Sequence, residues 1–288
     1  MVFLTLIAAT LITSLISGAL SMAGGIILMG VFGLFLTVPA AMVLHGIAQA
    51  VSNGSRVWLY RHYIEWRVLN YYSIGAFSVL IGFTVFRFVP NAGLVFLLIG
   101  SFPFISLCLP KRLNLEIGKP WVSFSSGIAV TLAQMFAGAS GPVLDIFYIQ
   151  SRMTKETILG TKALTQTLGH FLKLAYYSLI LSVTHEEITI SNAETYEQNL
   201  QSTFLQTSTD MIPPWMVFAV VAAAIIGNYA SIQIVKTISD TQFKKAGKVI
   251  IILIGIMCIA KGLSEFSLSL IHISEPTRRT PISYAVFC

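Results

Sequence analysis

Charge is scarce in this sequence. Only 10% of its 288 residues are Asp, Glu, Lys or Arg, whereas 55% are hydrophobic and the mean hydropathy is +0.79. A soluble domain is about 25% charged, so the composition excludes an ordinary soluble domain. Apolar runs near the roughly 20 residues that cross a bilayer as a helix recur along the chain. The composition therefore predicts an all-α polytopic membrane protein that sits in the lipid bilayer of the cell membrane.

Cysteine is also scarce. Cys108, Cys258 and Cys288 have no paired spacing, so neither a disulfide framework nor a zinc site is indicated, and no metal or cofactor is predicted. The net charge is +6, but the basic residues lie in short loops, which is the pattern that orients membrane proteins. We therefore predict no nucleic-acid partner. The N-terminus has no basic n-region, so Val2–Met22 is interpreted as a first membrane segment and not as a cleaved signal.

The segment LSLIHISEPTRRTPISYAVFC, from Leu268 to Cys288, differs in kind from the rest of the chain. It resembles the translated read-through of a transposase-type sequencing adapter. We treat 268–288 as non-native and expect the natural chain to continue beyond Ser267. His272 and Cys288 consequently have no place in a functional argument.

Ten apolar segments are predicted, and two of them are too short to span a bilayer. The short ones, Ile26–Thr37 and Pro142–Gln150, each follow a run of small residues, AGG at 23–25 and ASGP at 139–142. The longer ones are Val2–Met22, Val38–Tyr60, Val68–Phe88, Asn91–Leu109, Trp121–Ser140, Thr157–Ser182, Pro214–Val235 and Val249–Phe266.

The order of these segments is long, short, long, long, long in both halves of the chain, which indicates an internal repeat. A single offset of 117 (162 − 45) also relates the polar positions inside the apolar helices. It pairs Gly24 with Gly141, His45 with Lys162, Gln49 with Gln166, Asn53 with His170 and Arg56 with Lys173. We predict two repeats, residues 1–115 and 116–267.

Loop charge predicts opposite orientations for the two repeats. The positive-inside rule places four basic loops in the cytoplasm, and the acidic segment 183–212 becomes an extracytoplasmic loop. This arrangement requires each short segment to form a re-entrant or broken-helix hairpin with the helix before it, followed by three spanning helices. Inverted repeats with interrupted helices are typical of secondary transporters, whose substrates bind near the membrane midplane. The basic loops contain Arg61 and Arg67; Lys111, Arg112 and Lys119; Arg152 and Lys155; and Lys236, Lys244, Lys245 and Lys248.

Two stripes of polar side chains are the candidate translocation residues. In the second stripe the polar positions fall within an arc of roughly 80° on one helix face, and the first has the same spacing. Such residues normally face a bundle interior or a water-filled cavity, so the stripes predict a donor-rich path for an anion. The alternative is that the lysines snorkel to the membrane interfaces while the amides and histidine bond between helices. The stripes contain His45, Gln49, Asn53 and Arg56, and Lys162, Gln166, His170 and Lys173; Thr161, next to Lys162, is a further candidate.

The two glycine-rich breaks are the second candidate element. Proline is well tolerated in the first turn of a helix, so Pro142 is expected to begin the short helix, with Gly24, Gly25, Ser140 and Gly141 in the breaks. The free N–H groups of such a helix form a natural anion site. Close packing by small residues is the alternative. Asp145 is expected either to pair with Lys162 or to carry a coupling proton.

These motifs resemble those of the TauE/SafE family of sulfite exporters and anion permeases. The second-repeat segments GASGPVLDIFYIQ and ETILGTKALTQTLGHFLKL carry the resemblance, and SGALSMAGGIILMGVFGLFLTVPAAMVLHGIAQAVSN in the first repeat carries it with His45 where the family usually has a Thr-Ser pair. The resemblance implies export or uptake of sulfite, sulfate or an organosulfonate. Protons are a candidate coupling ion.

A second class of function is also open. Gly138–Gly141 matches the GxSG pattern of rhomboid-like intramembrane serine proteases, and His170 lies on the next long helix. A Ser–His dyad needs the two side chains within hydrogen-bond reach. Against the protease, Ala23 stands at the position in the first repeat that matches Ser140. The prediction is therefore a secondary transporter of a small anion that works by alternating access, and not an enzyme.

Overall fold

The computed structural model describes residues 1–20, 23–108, 115–148, 151–194, 212–235, 249 and 252–265. Within these ranges the regular elements are helices, which confirms the all-helical prediction. The helices of the first half are α1 (Val2–Leu20), α2 (Ala23–Phe35), α3 (Val38–Leu59), α4 (Trp66–Phe86) and α5 (Ala92–Cys108), with a 3₁₀ turn at Arg61–Tyr63 between α3 and α4. The helices of the second half are α6 (Pro120–Ala137), α7 (Gly141–Tyr148), α8 (Lys155–Glu194), α9 (Pro214–Val235) and α10 (residues 252–265).

The observed helices follow the predicted segments closely except at α2 and α8. The prediction that Gly24 and Gly25 lie in the break was wrong, because α2 begins at Ala23 and both glycines are in its first turn. α8 continues to Glu194 and so enters the segment 183–212, which had been predicted as a loop. The prediction ended the helix near Ser182 because the sequence becomes polar there, yet 183–194 contains neither Gly nor Pro and nothing local stops a helix. The rest of that segment, 195–211, and the tail 268–288 lie outside the described residues.

The surface of the molecule is apolar and the interior is partly polar. Large hydrophobic side chains such as Ile81, Phe171 and Phe218 are 63%, 57% and 75% exposed, whereas His45, Gln134 and Lys173 are nearly inaccessible. Two described helical segments, Trp66–Phe86 and Pro214–Ser231, are long and apolar enough to cross a membrane. Shorter apolar helices lie at Val2–Ser17, Gly24–Phe35 and Ala92–Phe102. Such an inside-out distribution is expected of a protein whose solvent is hydrocarbon.

The helices pack across the two halves of the chain. α1 lies along α9, α4 lies along α6, and α3 crosses α8 at the centre. Glycine permits the close approaches, because a Cβ atom on Gly127 of α6 would collide with the Tyr72 carbonyl oxygen of α4, and one on Gly227 of α9 would lie 2.5 Å from the Leu11 carbonyl oxygen of α1. Small residues at helix contacts are the usual way to bring helices together in lipid.

The junction between α6 and α7 is a complete helix stop and restart. Gly138 has a φ angle of 73°, in the left-handed region that glycine enters without a steric penalty, and its N–H donates to the Gln134 carbonyl. After Ala139, the Ser140 carbonyl accepts the first bond of α7, from the Leu144 N–H. α7 begins at Gly141, one residue before the predicted start at Pro142, so the proline lies in the first turn of the helix.

Candidate functional site

A small polar cavity lies where the first turns of α2 and α7 approach α3 and α8. Its walls come from both halves of the chain, and its polar side chains are amides, imidazoles and hydroxyls. None of the lining residues is acidic. The lining residues are Ser17, Gly25, Ile26, His45, Gln49, Asn53, Ala139, Ser140, Gly141, Gln166 and His170.

The first turns of α2 and α7 reach this cavity through Gly25 and Gly141. N–H groups in the first turn of a helix have no partner inside that helix, and the dipole there favours negative charge. Gln49 contributes a further donor, because its Nε2 is buried without a hydrogen-bond partner among the described residues. A buried donor without a partner is costly, so a ligand that accepts hydrogen bonds would complete this site.

His45 and Lys173 join the two breaks through one chain of hydrogen bonds. His45 Nε2 lies 2.8 Å from the Gly25 carbonyl oxygen, and Lys173 Nζ lies 2.8 Å from His45 Nδ1 and 2.9 Å from the Gly138 carbonyl oxygen. A carbonyl oxygen only accepts, so the imidazole proton is on Nε2 and Nδ1 accepts from Lys173. The chain therefore runs from the first break, through α3 and α8, to the second break.

Gln134 is a site residue that the sequence prediction missed. Its Oε1 accepts the hydroxyl hydrogen of Ser140 at 2.7 Å, and its Nε2 donates to His170 Nδ1 at 2.7 Å. The bond to Nδ1 places the imidazole proton of His170 on Nε2. A signal was present in the sequence, because the offset of 117 (134 − 17) pairs Gln134 with Ser17 at the equivalent end of the first repeat.

The basic residues of the stripes contact protein groups. Lys162 forms an ion pair with Asp145, which is the first of the two roles expected for that carboxylate. Arg56 Nη2 donates to the carbonyl and hydroxyl oxygens of Ser17, at 3.2 and 2.9 Å. Lys173 does the same for the carbonyl of Gly138. Each half of the chain therefore places a basic side chain against the carbonyl end of the helix that precedes its break.

The predicted residues divide into those that line the cavity and those that support it. His45, Gln49, Asn53, Gln166, His170, Gly25, Ser140 and Gly141 line it; Arg56, Thr161, Lys162, Lys173, Gly24, Pro142 and Asp145 are not among the lining residues.

Two of the supporting residues have local packing roles. The Thr161 hydroxyl accepts from the Glu65 N–H at 2.9 Å and thereby ties the start of α8 to the start of α4. Gly24 lies against α1, where a Cβ atom would collide with the Thr13 carbonyl oxygen.

Lys173 is fully buried, and both of its hydrogen bonds go to protein acceptors. The alternative that the lysines snorkel to the membrane interfaces differs from this position, because the amine end of Lys173 is buried against the helix break.

The Ser–His pair of the protease alternative is not formed. Ser140 and His170 both bond Gln134, on its two different amide atoms, and the amide lies between them. Because the serine hydroxyl hydrogen goes to an amide oxygen, no base in this arrangement accepts it. The geometry lacks the nucleophile–base contact that such an enzyme needs.

The fold and the cavity together define a helical membrane protein with a buried, acid-free, donor-rich site at paired helix breaks. The family model described as Sulfite exporter TauE/SafE matches residues 6–258. The chain belongs to this family, whose members are integral membrane transporters of the sulfite and anion exporter type and not enzymes. Comparison with curated proteins and with solved structures gives no match.

Proposed function

We propose that this protein is a multi-pass transporter of the cell membrane that carries a small anion, namely sulfite, sulfate or an organosulfonate, by alternating access. The observation that supports this most strongly is the composition of the cavity. Gln49 and Gln166, which the offset pairs, both line it, and each is no more than 8% exposed. Amide and imidazole donors with the first turns of two helices suit an oxyanion, and the absence of acidic residues from the lining avoids repulsion.

The proposal includes two inverted repeats, 1–115 and 116–267. Exchange of the repeats converts the α1–α9 packing into α6–α4 packing and leaves the α3–α8 crossing in place. It also exchanges Arg56 with Lys173, each of which bonds a carbonyl near the end of the preceding helix, that of Ser17 in α1 and that of Gly138 after α6. Paired contacts of this kind are expected where two repeats share one central site. Alternating access would then tilt one repeat against the other around the cavity.

The test is flux of radiolabelled sulfite, sulfate and methanesulfonate into proteoliposomes, measured for the wild type and for Gln166→Ala. We expect saturable flux of at least one anion in the wild type and its loss, or a strong reduction, in the variant. Thr167→Ala is the matched control, because Thr167 is buried on the same helix but donates to the Ala163 carbonyl of its own helix and does not line the cavity.

The outcomes separate the alternatives. Wild-type rates in Gln166→Ala would remove Gln166 from the site. Equal loss of flux in Thr167→Ala would attribute the effect to general damage of α8. An absence of flux for all three anions, with the protein folded, would contradict the proposed substrates.

A further inference from the structure

Lys173 is a buried basic residue without a counter-charge among the described residues. Its side chain is fully buried, and its two acceptors, His45 Nδ1 and the Gly138 carbonyl, are both neutral groups. The ion pairs of the described residues are Arg152–Glu116, Lys162–Asp145 and Lys261–Glu265, so none of them includes Lys173. Lys162, eleven positions (173 − 162) earlier on the same helix, differs in that it has its own carboxylate.

The number of hydrogen-bond acceptors around Lys173 indicates whether its side chain is a neutral amine or a charged ammonium. An amine has two N–H bonds and one lone pair, and the two acceptors match those two N–H bonds. An ammonium has a third N–H and a positive charge, for which the described residues provide neither a further acceptor nor a carboxylate. An uncompensated buried charge costs several kcal/mol, and more so at membrane depth. An anion in the adjoining cavity would supply the missing negative charge.

The environment of Lys173 connects it to that cavity. His45, from α3, lines the cavity and accepts the Lys173 hydrogen bond, so it lies between the amine and any bound anion. His170, on the same helix as Lys173, has its ring centroid 5.6 Å from that of His45. The other titratable side chains within four positions of Lys173 on α8 are Tyr176 and Tyr177, whose hydroxyls donate to the Phe88 carbonyl at 2.7 Å and to the Met135 carbonyl at 2.6 Å. The contact from the α6 side is the Gly138 carbonyl, which does not titrate.

We propose that the Lys173–His45 pair binds one proton together with the anion, and is therefore the coupling-proton site of this transporter. The inference rests on the proposed anion transport. A hydronium ion on the open side gives up a proton, its O–H bond breaks to leave water, and the proton adds to the lone pair of Lys173 Nζ. When the anion leaves on the other side, the proton returns to a water molecule there. Because the two charges stabilise each other, each raises the affinity for the other by the same factor. The coupling is thus symport of a proton and an anion.

Asp145 is the other candidate for the coupling proton, and its surroundings differ from those of the Lys173–His45 pair. Asp145 is paired with Lys162, so the charge of that carboxylate is already compensated, and it is not among the residues that line the cavity. A proton on Asp145 would break an existing ion pair and leave Lys162 uncompensated. A proton on the Lys173–His45 pair instead completes a charge pair with the substrate.

The test uses purified full-length protein and two probes, sulfate and methanesulfonate, which do not themselves titrate near neutral pH. Binding is measured as a function of pH, and proton uptake on anion addition is followed with an indicator dye in weakly buffered solution. If one proton binds together with the anion, the Kd of the anion rises by up to about tenfold for each unit by which the pH rises. We expect this slope, and uptake approaching one proton for each anion, in the wild type.

Two variants distinguish a proton site from a merely structural lysine. Lys173→Arg keeps a positive charge that does not titrate in proteins, so it should bind the probe with little pH dependence and without proton uptake. Lys173→Met removes the charge and should bind at least about tenfold more weakly, the factor that corresponds to 1.4 kcal/mol. Lys261→Met is the control, because Lys261 is partly exposed and paired with Glu265, and its binding and proton uptake should equal those of the wild type.

Anion binding by the wild type that is independent of pH and takes up no proton would overturn the inference. The proposed anion transport would not be affected by that result. Proton uptake that persists in Lys173→Arg would also overturn the inference. If Lys173→Met does not fold, Lys173→Gln replaces it, because the glutamine amide is uncharged and keeps two N–H donors, and the same weakening of binding is expected. A folded wild type that neither binds nor transports any anion would overturn the proposed function, and this inference with it.

Discussion

The buried ion pair between Lys162 and Asp145 allows a quantitative prediction about stability. The two side chains are 7% and 16% exposed, and the second carboxylate oxygen of Asp145 is buried without a partner among the described residues. Removing one partner of a buried pair leaves the other charge without compensation, which costs about 3–5 kcal/mol. We therefore expect Lys162→Met to lower the free energy of unfolding by about 3–5 kcal/mol.

The same reasoning predicts a different result for the double variant. Replacement of both charges, in Asp145→Leu with Lys162→Met, removes the desolvation penalty together with the attraction. Such replacements are often neutral or stabilising by about 1–4 kcal/mol. The coupling energy of the double-mutant cycle should then equal or exceed the loss in the single variant.

An exposed pair of the same type provides the comparison. Lys261 and Glu265 are 40% and 33% exposed and lie four positions apart on α10. Pairs of this kind contribute about 0.3–0.5 kcal/mol, so Lys261→Met should hardly change stability. The assay is reversible unfolding in mixed detergent micelles, followed by circular dichroism for all the variants. A Lys162→Met protein as stable as Lys261→Met would refute the assignment of a buried, mutually dependent pair.

Two further predictions concern packing and the site. Gly127→Ala should cost about 1–3 kcal/mol through overpacking of α6 on α4, whereas Gly82→Ala, where a Cβ atom meets nothing within 4 Å, should be neutral or stabilising in the same unfolding assay. Gln134→Leu removes the partner of both Ser140 and His170, so it should raise the KM for the transported anion more than it lowers the maximal rate; an unchanged KM would contradict a role for Gln134 in orienting these two side chains.

The helical architecture was predictable because hydropathy and helix breakers act locally. α9 was predicted at Pro214–Val235 and is observed there, and α3 ends one residue before the prediction. Proline marks the starts of both helices, Pro39 in the first turn of α3 and Pro214 at the start of α9, through backbone geometry that needs no tertiary partner. The end of α8 was not predictable in the same way. The sequence after Ser182 is polar, but it lacks a residue that would stop the helix.

The site was predictable only in part. The offset of 117 selected residues that do line the cavity, such as Gln49 and Gln166, because polar side chains inside apolar helices must face the interior. The offset could not distinguish a side chain that faces the cavity from one that bonds the backbone of a neighbouring helix. Arg56 and Lys173 are of the second kind, since their partners are carbonyls at the ends of α1 and α6. Those partners depend on a tertiary contact that spacing along one helix does not contain.

Because α1 packs on α9, which is synthesised much later, α1 lacks this neighbour while the rest of the chain is being made. The end of α1 at Leu20 and the start of α9 at Pro214 are 194 positions apart (214 − 20). At 5–20 residues per second, synthesis of that interval takes about 10 to 39 seconds, during which α1 lies in the lipid without this neighbour. Thr10 and Thr13 need no neighbouring helix to complete their hydrogen bonds, because they donate to the Leu6 and Ala9 carbonyls of α1 itself, at 2.8 and 2.7 Å. The first helix can thus satisfy these polar groups before the helix that will cover it has been made.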